Sequence, residues 1–171
     1  MSTDATRRPD ASGGSATAYV GLGANLGDTE ATLASAIRAL GALAATWLLR
    51  VSSRYRSAPV DAGGPDYLNA VVELRTALAP LALLAELQRI ESAHGRERSH
   101  RNAPRTLDLD LLLYADLRLA TPQLTLPHPR LQQRAFVLVP LAEIAPGLVV
   151  PGLGSVTDLL ARVAGQRVDK L

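Results

Sequence analysis

The sequence contains no cysteine, so disulfide bonds and thiolate metal ligands are both excluded. Aromatic residues make up only 4% of the 171 residues. The core must therefore be aliphatic, and each aromatic residue is a candidate for a special role. No apolar run approaches the roughly 20 residues that a membrane-spanning helix needs. We therefore expect no membrane partner and a location in the cytoplasm.

The sequence also lacks a strong charge of either sign, because its formal net charge is only +2. Lys170 is the only lysine, and the other basic residues are arginines. Arginine suits bidentate contacts with phosphate, although genome composition could produce the same bias. Residues 1–16 are rich in Ser, Thr, Asp, Arg, Gly and Pro and contain no apolar run. We expect them to form a disordered extension that precedes a single domain at residues 17–171.

The apolar pattern predicts the element order β-α-β-β-α-β. Strands are expected at residues 18–23, 46–55 and 68–74, and a fourth strand begins at Asp108. The first helix is expected to begin at Asp28 or Thr29 and to end at Gly41, and the second to extend from Pro80 to Gly95. This order resembles the split βαβ arrangement. The expected fold is thus α+β, with a ferredoxin-like core and an antiparallel or mixed sheet bearing helices on both faces (three layers, α/β/α).

The remaining elements are predicted less sharply. Residues 117–126 suggest a hairpin or an edge segment, and residues 136–144 suit either a helix or a strand. Ser155 with Asp158 fits the capping box of a short last helix. Gly21, Gly23 and Gly27 miss the dinucleotide-binding spacing by one residue, so we interpret them as turn formers.

The most informative segment is Arg105-Thr106-Leu107-Asp108-Leu109-Asp110, where two carboxylates begin an apolar run. In a strand, Asp108 and Asp110 share one face, and their mutual repulsion favours a cation between them. A solvated strand start with surface ion pairs is the simpler alternative. The arginines close by favour a Mg²⁺-bound polyphosphate instead; they are Arg96, Arg98, Arg101 and Arg105.

Two further groups of residues are candidates for binding. His128 is followed closely by Arg130, Arg134 and Phe136, although a lone histidine is more often structural. Tyr67 and Asn69 would share one face of a strand. A ring and an amide together could stack on a heterocycle and bind its polar edge; an ordinary rim tyrosine and turn asparagine are the alternative.

Together these motifs resemble the 6-hydroxymethyl-7,8-dihydropterin pyrophosphokinase family. The resemblance is strongest at Ala103-Pro104-Arg105-Thr106-Leu107-Asp108-Leu109-Asp110 and covers all but the first 16 residues and the last dozen or so. It implies transfer of pyrophosphate from ATP to the pterin hydroxymethyl group, with release of AMP, in folate biosynthesis. It also implies two Mg²⁺ ions and ATP as the co-substrate; we expect a monomer.

The resemblance assigns each role residue by residue. Asp108 and Asp110 would hold the metal ions and, with Arg96 and Arg105, form the catalytic group. The ATP site would comprise Gln88, Glu91, Arg98, Leu111, Thr125, His128 and Arg134. The pterin site would comprise Ser57, Ala58, Pro59, Val60, Tyr67, Asn69 and Phe136, with Tyr67 and Phe136 enclosing the ring.

Two alternatives remain open at this point. The Asp pair would also suit another Mg²⁺-dependent phosphotransferase or phosphohydrolase. A ferredoxin-like RNA-binding module is the non-enzymatic alternative, but such modules carry aromatic residues on adjacent central strands. One Phe and four Tyr in the whole chain argue against it, so we expect no nucleic acid partner.

Overall fold

The computed structural model describes residues 14–60, 63–95 and 107–171. Its main elements are β1 (Ala16–Ala24), α1 (Thr29–Gly41), β2 (Thr46–Val51), β3 (Tyr55–Ser57), β4 (Tyr67–Thr76), α2 (Pro80–Ala93), β5 (Asp108–Tyr114), α3 (Ala135–Ile144), α4 (Val156–Ala161) and β10 (Val168–Lys170). Short strand pairs lie between them: β6 (Leu119–Ala120) with β7 (Thr125–Leu126), and β8 (Val149–Val150) with β9 (Gly154–Ser155). The hairpin at residues 117–126 is confirmed.

The main sheet follows the order β10-β3-β4-β1-β5, and β2 pairs with the second half of β4. All pairings described in this sheet are antiparallel. The central order is that of a ferredoxin-like core, in which β4 lies between β1 and the strand formed by β2 and β3. The predicted α+β fold is confirmed.

Helices cover both faces of the sheet, which is why the central strands β1 and β4 each contain five consecutive buried residues. On one face, α1 and α2 pack over a cluster that includes Val20, Val72 and Leu109. On the other face, α3 and α4 pack over Tyr19, Val71 and residues 112–113. The aliphatic core predicted from the composition therefore consists of two layers of apolar side chains, one on each side of the sheet.

Several local predictions are corrected. The single strand expected at residues 46–55 is interrupted at residues 52–54, where the Ser52 hydroxyl accepts the amide of Val71 and displaces regular pairing. Gly41 is the last helical residue of α1, with Ala42 as the C-cap.

Residues 136–144, for which a helix and a strand were both possible, form a helix that contains Pro140. The capping prediction is confirmed, because the Ser155 hydroxyl accepts the amide of Asp158.

The predicted extension at residues 1–16 lies largely outside the described residues. Gly14 and Ser15 are described, β1 begins at Ala16, and the hydroxyl of Ser15 accepts a hydrogen bond from Arg75. None of the helices in the described ranges is long and apolar enough to cross a lipid bilayer.

Candidate active site

The register of the sheet brings the predicted site residues together on one face. Asp108 lies opposite Gly23, which in turn lies opposite Asn69 on β4. Asp110 lies opposite Gly21 on β1. Directly paired residues of an antiparallel sheet point to the same side, so both carboxylates face α3, as the two-residue period predicted.

A cavity of about 190 Å³ lies between this part of the sheet and the start of α3. Its walls combine flat, apolar and polar groups, which suits a small aromatic ligand with hydrogen-bonding edges. The lining residues are Gly21, Leu22, Gly23, Ser57, Ala58, Val60, Tyr67, Asn69, Asp108, Asp110, Arg134, Phe136 and Val137. Pro59 belongs to the same loop but is not part of this lining.

Asn69 is oriented inside the cavity by its neighbours. It is only 3% exposed, and its Nδ2 donates to the Ser57 hydroxyl at 2.6 Å. A Cβ atom placed on Gly23 would lie 3.5 Å from Asn69 Oδ1. The amide oxygen therefore lies beside the Gly23 backbone at the cavity floor, where it can accept a hydrogen bond from a ligand.

Phe136 and Arg134 form the opposite wall of the cavity. The guanidinium carbon of Arg134 lies 5.4 Å from the centre of the Phe136 ring, a cation–π contact. Arg134 Nη1 also lies 3.9 Å from Asp110 Oδ2. One arginine therefore joins the apolar part of the cavity to its acidic edge.

His128 approaches the other carboxylate oxygen of Asp110, with Nε2 3.9 Å from Oδ1. Its Nδ1 accepts the backbone amide of Arg130 at 3.2 Å. Burial lowers the pKa of His128, and although the Asp110 carboxylate opposes that shift, Arg134 and Arg130 reinforce it. The imidazole is thus biased towards its neutral form, in which Nε2 can donate to a phosphate oxygen.

Other predicted ATP-site residues surround β5, which is the edge strand of the sheet. Glu91 on α2 is 6% exposed, and its Oε2 accepts the amide of Leu109 at 3.1 Å. Leu111 is buried in the cluster beneath α1 and α2. Gln88 is exposed on α2, and Thr125 lies with His128 along a groove at the β6–β7 hairpin. Gln88, Glu91 and Leu111 therefore do not line the cavity.

Arg96, Arg98 and Arg105 lie outside the described residues, as does Arg101. Within residues 14–60, 63–95 and 107–171, no three His, Cys, Asp or Glu side chains gather in a way that could hold a metal ion. Mg²⁺ does not need such a cage, since it binds through one or two carboxylates together with substrate phosphates and water. The Asp108–Asp110 pair has the oxygen donors for this mode.

Two kinds of site residue escaped the sequence prediction. Gly21 and Gly23 lie within β1, as the strand predicted at residues 18–23 requires, but their interpretation as turn formers was wrong. Of the three glycines, only Gly27 has a positive φ, +67°. The extended backbone of Gly21 and Gly23 instead forms the cavity floor. The second kind is Gln166, which binds the backbone at the start of α3. A sequence signal existed for the two glycines of β1, because their spacing of two places both on one face of a strand.

The fold and the cavity define a class of protein, an α+β enzyme with a heterocycle-sized cavity joined to a carboxylate pair. A sequence profile of the 7,8-dihydro-6-hydroxymethylpterin-pyrophosphokinase (HPPK) family matches residues 19–146. The chain belongs to this family and is an ATP-dependent pyrophosphokinase.

Relatives from several bacteria support this assignment. The 2-amino-4-hydroxy-6-hydroxymethyldihydropteridine pyrophosphokinase of Haemophilus influenzae is 45% identical over 156 residues, which cover 91% of this chain and 98% of that protein. The enzyme of the same name from Pseudomonas aeruginosa is 44% identical over 154 residues, with 90% and 95% covered.

The solved structures agree in fold. Wild-type HPPK-DHPS of Plasmodium falciparum, solved with pteroate, superposes with a TM-score of 0.72 at 14% identity. The match covers 88% of this chain and 43% of that one, so this chain spans less than half of the solved protein.

Proposed function

We propose that the cavity is the active site at which the pyrophosphoryl group of ATP is transferred to the hydroxymethyl group of 6-hydroxymethyl-7,8-dihydropterin, a step of folate biosynthesis. The observation that carries this assignment is the single sheet face shared by Asp108, Asp110 and Asn69 beneath Phe136. A polyphosphate site and a site for a flat heterocycle are thereby adjacent.

The pterin ring is proposed to lie between Tyr67 and Phe136, with its polar edge towards Asn69. The Asn69 Nδ2 group is engaged by Ser57, which leaves Oδ1 directed at the cavity for ring N–H donors. Stacking and a fixed edge contact would together orient the hydroxymethyl oxygen towards the carboxylate pair. The loop of residues 57–60 would complete the pocket.

ATP is proposed to bind around the edge strand β5. Gln88 and Glu91 lie on α2, and Leu111 belongs to β5 itself. Thr125 lies in the β6–β7 hairpin, and His128 follows it and donates its backbone amide to the Leu112 carbonyl of β5. The triphosphate would then extend to Asp110, where Arg134 and His128 already lie within 4 Å of the carboxylate. Arg96, Arg98 and Arg105 are proposed to contact the phosphates, as the family resemblance implies.

The reaction depends on placing the two substrates in line and on neutralising the phosphate charge more than on covalent catalysis. The hydroxymethyl oxygen forms a bond to the β-phosphorus and releases its proton to solvent, while the bond from that phosphorus to the α,β-bridging oxygen breaks and AMP leaves with that oxygen. Arg134 and His128 offer N–H donors to the phosphate oxygens. Asp108 and Asp110 are proposed to hold two Mg²⁺ ions, which would neutralise charge on the polyphosphate. A monomer in the cytoplasm remains a prediction from the sequence.

The metal assignment is tested by Asp110→Asn, with Asp116→Asn as the matched control on an exposed turn. We expect the Asp110 variant to lose Mg²⁺-dependent AMP release by at least about 100-fold, because one anionic ligand is removed from the polyphosphate site. Circular dichroism should show an unchanged fold. AMP release close to that of the wild-type protein would refute the role of Asp110.

A further inference from the structure

The start of α3 positions two side chains of the cavity wall, Arg134 and Phe136. Arg134 is the N-cap residue, with extended backbone angles (φ −123°, ψ 104°), and Phe136 lies in the first turn. In the part of the chain that the structure describes, the Arg134 side chain does not cap the helix. Amides at a helix start need acceptors from outside the helix, so another residue must provide one.

Gln166 provides this acceptor from the segment between α4 and β10. Its Oε1 accepts the amide of Ala135 at 3.0 Å, and its Nε2 donates to the carbonyl of Gln133 at 2.8 Å. These backbone groups belong to the residues on either side of Arg134. A single side-chain amide thus bridges the 3₁₀ turn Leu131–Gln133 and the first residue of α3.

We propose that Gln166 is a positioning residue for the pyrophosphoryl transfer, a proposal that rests on the proposed function. Because Gln166 holds the backbone before and after Arg134, it sets where the guanidinium and the Phe136 ring lie. Arg134 lies on the phosphate side of the site and Phe136 on the pterin side. Gln166 therefore couples the placement of both substrates without a direct role at the reacting atoms.

The amide is the side chain that can form both contacts. Glutamate keeps an acceptor for Ala135 but loses the donor to the Gln133 carbonyl. Alanine loses both contacts. The two substitutions should therefore produce graded effects, with Gln166→Glu between the wild-type protein and Gln166→Ala. A role in bulk packing would not produce this order, because Gln166 is exposed and glutamate has almost the same shape.

The test measures KM for ATP, KM for the pterin, kcat and Tm for Gln166→Ala and Gln166→Glu. We expect Gln166→Ala to raise both KM values about tenfold, and Gln166→Glu to raise them about threefold, as expected for the loss of two and one hydrogen bonds. The exposed hairpin residue Gln123 supplies the matched control, and Gln123→Ala should leave both KM values unchanged.

A second control separates positioning from stability. Thr46→Val removes the buried 2.8 Å hydroxyl contact with Thr76 at the other end of β4, so it should lower Tm without altering the cavity. KM values for Gln166→Ala within twofold of the wild type would overturn the proposal. Equal KM increases in Thr46→Val at a matched loss of Tm would also overturn it.

If Gln166→Ala does not fold, Gln166→Glu decides the question. A folded Gln166→Glu protein with raised KM values supports positioning, and wild-type KM values contradict it. Failure of the proposed function itself would be distinct, because the wild-type protein would then release no AMP from ATP and the pterin.

Discussion

Gly21 and Gly23 face the cavity from the interior of β1, directly opposite Asp110 and Asp108. A Cβ atom at Gly23 would lie 3.5 Å from Asn69 Oδ1 and 3.7 Å from Tyr67 Cδ1, which are ordinary contact distances. The fold can therefore accept a methyl group there, but that group would occupy the cavity floor. At the scale of single residues, the missing side chains are what leaves room for a ligand.

Gly23→Ala should consequently retain stability and lose pterin affinity. We expect the Kd for the pterin to rise about tenfold or more, because overfilling a tight site costs about 1–3 kcal/mol, while the Kd for ATP changes little. Calorimetry measures both constants. Gly147→Ala is the matched control, since a Cβ atom there would meet nothing within 4 Å. Unchanged pterin binding by Gly23→Ala would show that the ring does not reach this floor.

Phe136→Leu tests the other wall of the cavity. Leucine keeps apolar volume but removes the flat ring, so we expect pterin affinity to fall about 10- to 100-fold, in line with the stacking energy of a base on an aromatic side chain. ATP affinity should fall much less. Trp47→Leu, on β2, controls for the loss of a ring away from the cavity. Equal losses for both ligands would count against stacking on Phe136.

Part of the site is predictable from single residues and their spacing. A period of two places Asp108 and Asp110 on one face wherever the segment is extended. In the structure, both residues lie on the same face of β5. The strand predicted at residues 18–23 includes both glycines of β1, but their interpretation as turn formers was wrong, because a Gly-rich run before a helix is typical of a turn. Only the pairing of β1 with β4 and β5 shows that the strand continues to Ala24.

At the scale of elements, Glu143 ties α3 to β3. Its carboxylate accepts the Ser53 amide at 2.7 Å, the Ser53 hydroxyl at 2.6 Å and the Tyr55 hydroxyl at 2.9 Å. Lys170 Nζ lies 3.8 Å from the same carboxylate. The two elements joined in this way carry Phe136 and Ser57, which lie on different sides of the cavity.

The hydrogen bonds of this cluster alter two pKa values. Burial would raise the pKa of Glu143, but the Ser53 and Tyr55 hydrogen bonds and the Lys170 charge outweigh it, so the pKa is lowered. Burial, together with the Glu143 carboxylate, raises the pKa of Tyr55 to about 12. A carboxyl with a lowered folded-state pKa stabilises the fold above its unfolded pKa and loses that contribution as the pH falls through its folded pKa.

Glu143→Gln should therefore lower the free energy of unfolding at pH 7 by about 1–2 kcal/mol, the range for hydrogen bonds to a partly exposed charged group. The difference from the wild-type protein should shrink as the pH falls below about 4.5, where the unfolded carboxyl becomes protonated. Urea unfolding across this range measures both effects. A difference that is independent of pH would show that the carboxylate charge contributes nothing.

Contacts between distant elements could not be predicted from the sequence. Glu143 and Ser53 are 90 residues apart, and Gln166 is 31 residues from Ala135. Periodicity identifies a helix and its buried face, but not the residue that caps it from another element. The bulge in β5, where Leu111 and Leu113 pair with consecutive residues of β1, likewise depends on the partner strand.

At the scale of the whole molecule, the two proposed substrate sites lie on opposite faces of the sheet and meet at one edge. The proposed pterin cavity lies on the face covered by α3, whereas Gln88 and Glu91 lie on α2, and Leu111 packs beneath α2 on the opposite face. The edge strand β5 carries the two carboxylates between these regions. A triphosphate that extends around this edge would deliver its β-phosphorus to the hydroxymethyl group above Asn69.

The most direct test is to identify the products formed from ATP, Mg²⁺ and 6-hydroxymethyl-7,8-dihydropterin by chromatography and phosphorus NMR. Transfer of the terminal pyrophosphoryl group predicts equal amounts of AMP and the pterin diphosphate, with neither formed when the pterin is omitted. Formation of ADP with a pterin monophosphate, or release of free phosphate without the pterin diphosphate, would contradict the account.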